Sequence, residues 1–136
     1  MNAHYLKKVE EKMEASVKDI YKVIPDFDAF LKLTDEIGEL SYKKLVADKD
    51  IKRAEANVVI ECTTNTKYAL GGKPPSMTFI DSTYKFTGID GEILPLRETY
   101  AEVSATLEKR KLELSVYKDM LEVWRTLSAN ERNTAI

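Results

Sequence analysis

One hydrophobic repeat runs without a break through residues 96–128, LRETYAEVSATLEKRKLELSVYKDMLEVWRTLS. Alternating steps of four and three connect its members, which are apolar except for one arginine and a closing serine. A period of about 3.5 residues predicts a helix with a single narrow apolar seam, of the kind that faces another helix in coiled coils. The members are Leu96, Tyr100, Val103, Leu107, Arg110, Leu114, Tyr117, Leu121, Trp124 and Ser128.

A second seam of similar length lies upstream and predicts the partner helix. Its members are Phe30, Leu33, Ile37, Leu40, Lys44, Ala47, Ile51, Ala54 and Val58. Antiparallel pairing places Phe30 opposite Trp124 at one end and Val58 opposite Leu96 at the other. In between, the same register places Ile37 opposite Tyr117, Lys44 opposite Arg110, and Ala54 opposite Tyr100. The two seams therefore predict a long helical hairpin.

The order of elements predicts a single, mainly α domain over residues 1–136. It consists of an N-terminal helix at 4–23, hairpin arms at 28–62 and 94–129, and a tip at 63–93. Within the tip, Met77–Asp81 and Thr83–Thr87 are rich in β-branched and aromatic residues, which predicts two short strands. The predicted fold is thus a long, coiled-coil-like antiparallel helical hairpin with an N-terminal helix and a small loop/β tip insertion.

Composition limits the cellular setting and the possible partners. The formal net charge is −2, so the chain as a whole does not attract polyanions and any basic surface must be local. Cys62 is the single cysteine, which excludes an intrachain disulfide and favours a reducing cytoplasm. The N-terminus lacks a signal-peptide apolar region, and no run of about 18 apolar residues exists, so we predict no membrane partner.

An elongated hairpin of this length leaves much apolar seam in water, which predicts a homo-oligomer. The predicted oligomer interface consists of six seam residues, Phe30, Ile37, Leu114, Tyr117, Leu121 and Trp124.

Enzymatic signals are weak. His4 is the only histidine and lies close to the N-terminus, while Cys62 has no neighbouring base and no nucleophile elbow. Gly71-Gly72-Lys73 lacks the other residues of a phosphate-binding P-loop. We therefore predict no catalytic residue, no metal, no cofactor and no enzymatic activity.

The predicted register creates a basic belt, because Lys44 faces Arg110 and both are flanked by Lys43, Lys109 and Lys111. Facing cations in a seam are costly unless they extend to water or meet an anion. One interpretation is that nearby acids satisfy them, with candidates Glu39, Asp48, Glu108, Glu113 or acids of another subunit. The other is that the belt contacts phosphates.

The tip interleaves cations with aromatic residues, in Lys67, Tyr68, Lys73, Phe79, Tyr84, Lys85 and Phe86. Single-stranded nucleic acid is bound by that combination, since a phosphate pairs with a cation and an unstacked base with an aromatic face. The alternative is that the aromatic rings only pack on one another or on the helix ends.

From about residue 28 to 133 the layout resembles the UvsY-type recombination mediators of bacteriophages. A basic helix leads to an aromatic-then-glycine tip, Lys67-Tyr68-Ala69-Leu70-Gly71-Gly72-Lys73. A return helix ending in Leu121-Glu122-Val123-Trp124-Arg125-Thr126-Leu127 follows, and then the short tail Asn130-Glu131-Arg132-Asn133. The resemblance implies a ring-forming protein of the host cytoplasm that binds single-stranded DNA. Its implied partners are a RecA-like recombinase and single-strand-binding protein.

The sequence thus predicts a non-enzymatic, oligomeric, recombination-mediator-like accessory protein that binds single-stranded DNA. Two alternatives stay open. A chaperone-like or protein-interaction hairpin, as in prefoldin-like subunits, would use the same tip and seam to grip another protein. A phage structural adaptor would use the same helices for assembly without binding DNA.

Overall fold

The computed structural model describes residues 26–134, which are mainly α-helical. Three α-helices and one short 3₁₀ turn follow in order: α1 (Phe27–Thr64), the 3₁₀ turn (Thr66–Tyr68), α2 (Met77–Thr83) and α3 (Leu94–Thr134). The prediction of a mainly α fold built on a long helix pair is confirmed. Both arms extend a few residues beyond the predicted bounds, and the helix predicted at 4–23 lies outside the described residues.

The ends of the long helices have local causes. The side chain of Asp26 accepts a hydrogen bond from the Ala29 amide at 3.0 Å, which caps the start of α1. Asn65 follows α1 and accepts a hydrogen bond from the Lys67 amide, which starts the 3₁₀ turn. Pro95 lies in the first turn of α3, where its missing N–H costs no helical hydrogen bond.

The described chain divides into two compact units. The first, which we call the tip unit, comprises Glu36–Lys109. The second, the terminal unit, is described over residues 26–35 and 110–134. Both units contain a segment of α1 and a segment of α3, and only the tip unit contains α2.

The tip unit has a buried core where α2 and the turn before α3 cover the helix pair. One cluster contains Ile51, Val58 and Cys62 of α1 with Ile80 of α2 and Ile93. Leu96 and Tyr100 of α3 pack against this cluster. The two long helices run antiparallel here, since Glu55 of α1 pairs with Arg97 of α3, while Lys44, earlier in α1, lies over Tyr100, later in α3.

The terminal unit has a thinner interior. The rings of Phe30 and Tyr117 lie 5.4 Å apart between centroids, and the Tyr117 hydroxyl donates a hydrogen bond to the Asp26 carbonyl. The best-covered described residues of this unit are only half-buried.

The predicted seams are correct, but their register is wrong. Every residue of both seams is half-buried or buried. In the terminal unit, however, Phe30 contacts Tyr117, which lies one heptad before the predicted Trp124. In the tip unit, the Lys44 ammonium lies over the Tyr100 ring, ten residues before Arg110, its predicted partner. A heptad repeat looks the same after a shift of seven residues, so spacing alone cannot choose between the two registers.

The predicted strands in the tip are also wrong. Met77–Thr83 forms α2, and the described residues contain no strand, only an isolated bridge between Leu70 and Lys73. Ser76 caps α2 by accepting a hydrogen bond from the Phe79 amide at 3.2 Å. The cap and the full burial of Ile80 outweigh the strand propensity of this segment.

Candidate nucleic-acid interface

The first part of the tip is a tight turn that exposes Lys73. Leu70 and Lys73 exchange two backbone hydrogen bonds of 2.8 and 3.2 Å across Gly71 and Gly72. Both glycines have positive φ, 62° and 79°, as a two-residue hairpin turn requires. The turn fixes the backbone and leaves the Lys73 side chain in solvent.

Most tip aromatics pack on one another. Tyr84 makes edge-to-face contacts with Tyr68 and with Phe79, at centroid distances of 5.8 and 6.2 Å. The ammonium of Lys67 lies 5.7 Å from the Tyr68 ring. These contacts agree with the interpretation in which the rings support the tip structure, and they leave Tyr68 and Tyr84 half-buried.

Phe86 behaves differently from the other tip aromatics, because it is 64% exposed. The guanidinium carbon of Arg97 lies 4.5 Å from its ring centroid, so one face rests on a planar cation. Lys85, the preceding residue, pairs with Asp81 at 3.6 Å on the surface.

Arg97 itself is firmly positioned. Its guanidinium donates to the Phe86 carbonyl at 2.8 Å and to the Lys85 carbonyl at 3.2 Å. It also donates to the Glu55 carboxylate of α1 at 2.9 Å, a pair whose side chains are 27% and 22% exposed. We call Phe86, Arg97 and Glu55 the Phe86 platform. It holds an exposed ring in a fixed orientation and ties α1, the tip and α3 together.

The sequence prediction missed Arg97 and Glu55. Each stands among many charged helix residues, and no spacing rule brings position 55 to position 97. One weak signal was present: Arg97 is the single basic residue in the first turn of α3, close to where the chain leaves the tip.

The belt cations have partners inside their own units. In the tip unit, the Lys44 ammonium lies 5.7 Å from the Tyr100 ring centroid. In the terminal unit, Arg110 donates to both carboxylate oxygens of Glu113 at 2.8 and 2.9 Å. Glu113 is one of the acids expected to satisfy the belt. Lys43, Lys109 and Lys111 are exposed.

A second loop closes the tip before α3. Gly88 has φ 86°, and the Glu92 carboxylate accepts hydrogen bonds from the Ile89 amide at 3.1 Å and the Asp90 amide at 2.8 Å. Hydrogen bonds to the backbone amides of Glu92 itself, Asp90 and Ile89 hold the pKa of this carboxyl below its ordinary value.

The chemistry of the tip unit gives no support for a phosphate or metal pocket. A depression beside Tyr68 is lined by Asn57, Val58 and Ile89, but also by the carboxylates Glu61, Asp90 and Glu92, which repel phosphate. Among residues 26–134, no three histidine, cysteine or carboxylate side chains group as metal ligands. Burial raises the pKa of the Cys62 thiol, so the reactive thiolate is disfavoured.

None of the helices formed by the described residues is both long enough and apolar enough to cross a membrane. Comparison with known proteins found no matching family model, no matching curated sequence and no matching solved structure.

Proposed function

We propose that this chain is a non-enzymatic, self-associating accessory protein that binds single-stranded DNA through its tip, in the manner of a recombination mediator. The observation that supports this most directly is the Phe86 platform. A large apolar ring that is 64% exposed contributes little to the core, yet two backbone carbonyls and a carboxylate hold its supporting arginine in place. A fixed, accessible ring is what an unstacked base needs.

Phosphate contacts would come from exposed lysines of the same unit. Lys67 and Lys73 lie in the tip, and Lys109 lies on α3. Each is a weak, solvated site by itself, and the net charge of −2 adds no general attraction. Binding of useful strength therefore depends on several subunits contacting one strand. A RecA-like recombinase and single-strand-binding protein are the partners that such a protein would serve.

The test is fluorescence anisotropy of a labelled oligothymidine titrated at low and moderate salt. Phe86→Leu keeps an apolar side chain but removes the aromatic face, and it should weaken binding about tenfold. Phe27→Leu is the matched control, because Phe27 is also exposed but lies in the terminal unit. Lys67→Ala/Lys73→Ala should make binding less dependent on salt.

Two results would contradict the proposal. One is the absence of binding at low salt, and the other is equal binding by the Phe86→Leu variant and the unaltered chain.

A protein-interaction or chaperone-like role is the second candidate, and a different observation favours it. The tip unit exposes several large aliphatic side chains, Ile60, Leu70, Met77 and Leu94. Exposed apolar side chains suit a protein partner better than a phosphate backbone. Leu70→Lys/Met77→Lys would then abolish suppression of client aggregation in a light-scattering assay, while oligothymidine binding stayed unchanged.

A further inference from the structure

α1 carries a second heptad stripe that does not belong to its seam. Steps of four and three connect five residues in the tip unit, Glu39, Lys43, Val46, Asp50 and Arg53. All but Asp50 are exposed, and Asp50 is half-buried. We call these five residues the α1 stripe. Because its period is the same as that of the seam, a second helix can lie along it.

The charges of the α1 stripe are ordered acid, base, apolar, acid, base around the central Val46. If a second copy lies antiparallel, Lys43 meets Asp50 of the second copy and Glu39 meets its Arg53. Val46 then meets its own counterpart on the two-fold axis. A parallel arrangement in register would instead place like charges together, so the sequence of charges favours the antiparallel arrangement.

The charged members of the α1 stripe are not used in ion pairs within residues 26–134. Two ion pairs of α1 in the tip unit join Lys52 to Asp48 and Glu55 to Arg97, and both lie outside the α1 stripe. Glu39 and Lys43, or Asp50 and Arg53, have the spacing for pairing along the helix. They do not form such pairs within 4.0 Å, so their charges remain available to a partner.

Apolar surface accompanies these charges. Next to Val46, an open groove between α1 and α3 is lined by Tyr42, Ala47, Leu96 and Val103. Tyr42 is 69% exposed and Val46 is 37% exposed. An antiparallel copy would cover both side chains while its charges paired at either end. The α1 stripe thus combines an apolar centre with a self-complementary polar rim, as protein interfaces generally do.

We propose that two copies of this chain associate antiparallel through the α1 stripe, with the two-fold axis at Val46. This inference rests on the self-association included in the proposed function and assigns it a surface distinct from the seam residues. From Glu39 to Arg53 the stripe covers 15 residues and about 21 Å, at the helical rise of 1.5 Å per residue.

The first test is a charge exchange, followed by sedimentation equilibrium at low salt. Lys43→Glu and Asp50→Lys each place like charges together twice across the axis, and each should weaken dimerisation by at least about tenfold. The double variant Lys43→Glu/Asp50→Lys exchanges the two signs and should restore it. A folding defect caused by either substitution would persist in the double variant. Restored dimerisation would therefore show that the single variants weakened the interface and not the fold. Unchanged dimerisation in the single variants, or failure of the double variant to recover, would overturn the proposal.

The second test locates the axis by cross-linking. With a short bismaleimide, Val46→Cys should join two chains efficiently, because the position meets itself across the axis. Leu45→Cys is the matched control, since Leu45 is the adjacent, exposed residue outside the stripe. The unaltered chain measures any contribution of the buried Cys62. Equal cross-linking at positions 45 and 46 would rule out this axis.

These tests separate the interface from DNA binding. If the interface is absent but Phe86→Leu still weakens oligothymidine binding, the surface assignment fails and the proposed function stands. If dimers form as expected but no DNA binds, the interface stands and the nucleic-acid proposal fails.

Discussion

The tip unit and the terminal unit contain segments of the same two helices but bury them differently. All the residues of the buried hydrophobic core in the described chain lie in the tip unit: Ala47, Ile51, Val58, Cys62, Ile80, Ile93 and Leu107. The described part of the terminal unit reaches only half-burial. Five of these seven residues form one cluster in which α2 packs on the helix pair. Where α2 and Ile93 cover the pair, a closed core forms.

The largest expected effect tests this difference directly. Ile80 is fully buried between α2 and the long helices, so Ile80→Ala should lower the free energy of unfolding by about 3 kcal/mol. Leu121→Ala removes a half-buried leucine of the terminal unit and should cost about 1 kcal/mol. Urea unfolding followed by circular dichroism measures both. Equal losses would mean that the two units are equally well packed.

The next effect concerns the Phe86 platform. Arg97→Lys keeps the charge but removes the planar guanidinium that donates to two carbonyls and to Glu55. It should lower the free energy of unfolding by about 1.5 kcal/mol. Lys52→Met is the control, since Lys52 pairs with Asp48 on the open surface and its replacement should leave the free energy of unfolding nearly unchanged. A double-mutant cycle of Arg97→Lys with Glu55→Gln, in urea, would show no coupling if the pair were only a surface contact.

Substitution by alanine should change the stability of the fold in opposite directions at two glycines of the tip unit. Gly88 has φ 86°, and a Cβ there would lie 2.5 Å from the Glu92 carboxylate, so Gly88→Ala should destabilise by about 1 kcal/mol. Gly38 lies inside α1 with open space around it, so Gly38→Ala should stabilise by up to about 1 kcal/mol. Thermal unfolding of the two variants measures whether each substitution lowers or raises stability. A stabilising Gly88→Ala would contradict the fixed loop.

A smaller effect distinguishes the two registers in the terminal unit. Phe30 and Tyr117 are in ring contact, so a double-mutant cycle of Phe30→Leu and Tyr117→Leu should give a coupling of about 0.5–1 kcal/mol. The cycle of Phe30→Leu with Trp124→Leu should give none. Coupling of Phe30 to Trp124 in place of Tyr117 would instead support the register that the sequence predicted.

The smallest effect is a pH dependence of the loop before α3. Hydrogen bonds from backbone amides lower the pKa of Glu92 in the folded chain, so its charged form contributes stability at neutral pH. That contribution is lost as the pH falls through the folded pKa, below the ordinary range of a glutamate. The protection of the Ile89 and Asp90 amides from exchange, relative to the intrinsic rate at each pH, should fall there in the unaltered chain. Glu92→Gln should remove this pH dependence, and its persistence would exclude Glu92 as the cause.

The sequence predicted those features that depend on periodicity. Both seams, the starts of both long helices and the proline in the first turn of α3 followed from local patterns, and all agree with the structure. The register did not follow, because a heptad shift keeps the two seams facing each other and the choice depends on particular contacts such as Phe30 with Tyr117.

The helical tip and the Phe86 platform needed tertiary information. The residues of α2 favour strands by propensity, and a serine cap with a buried isoleucine reverses that preference. Phe86 was among the predicted binding residues, but its exposure and its support by Arg97 depend on side chains 11 and 42 positions apart in the chain. Contacts between residues so far apart in the chain follow no periodic spacing that a single sequence can reveal.

Thiol labelling of Cys62 can measure the opening of the tip unit. It is the single cysteine of the chain, 1% exposed within the core cluster. A thiol reagent can reach it only when the core cluster opens, so the labelling rate measures opening of the tip unit. Measured with and without oligothymidine, the same rate would show whether a bound strand holds the tip closed.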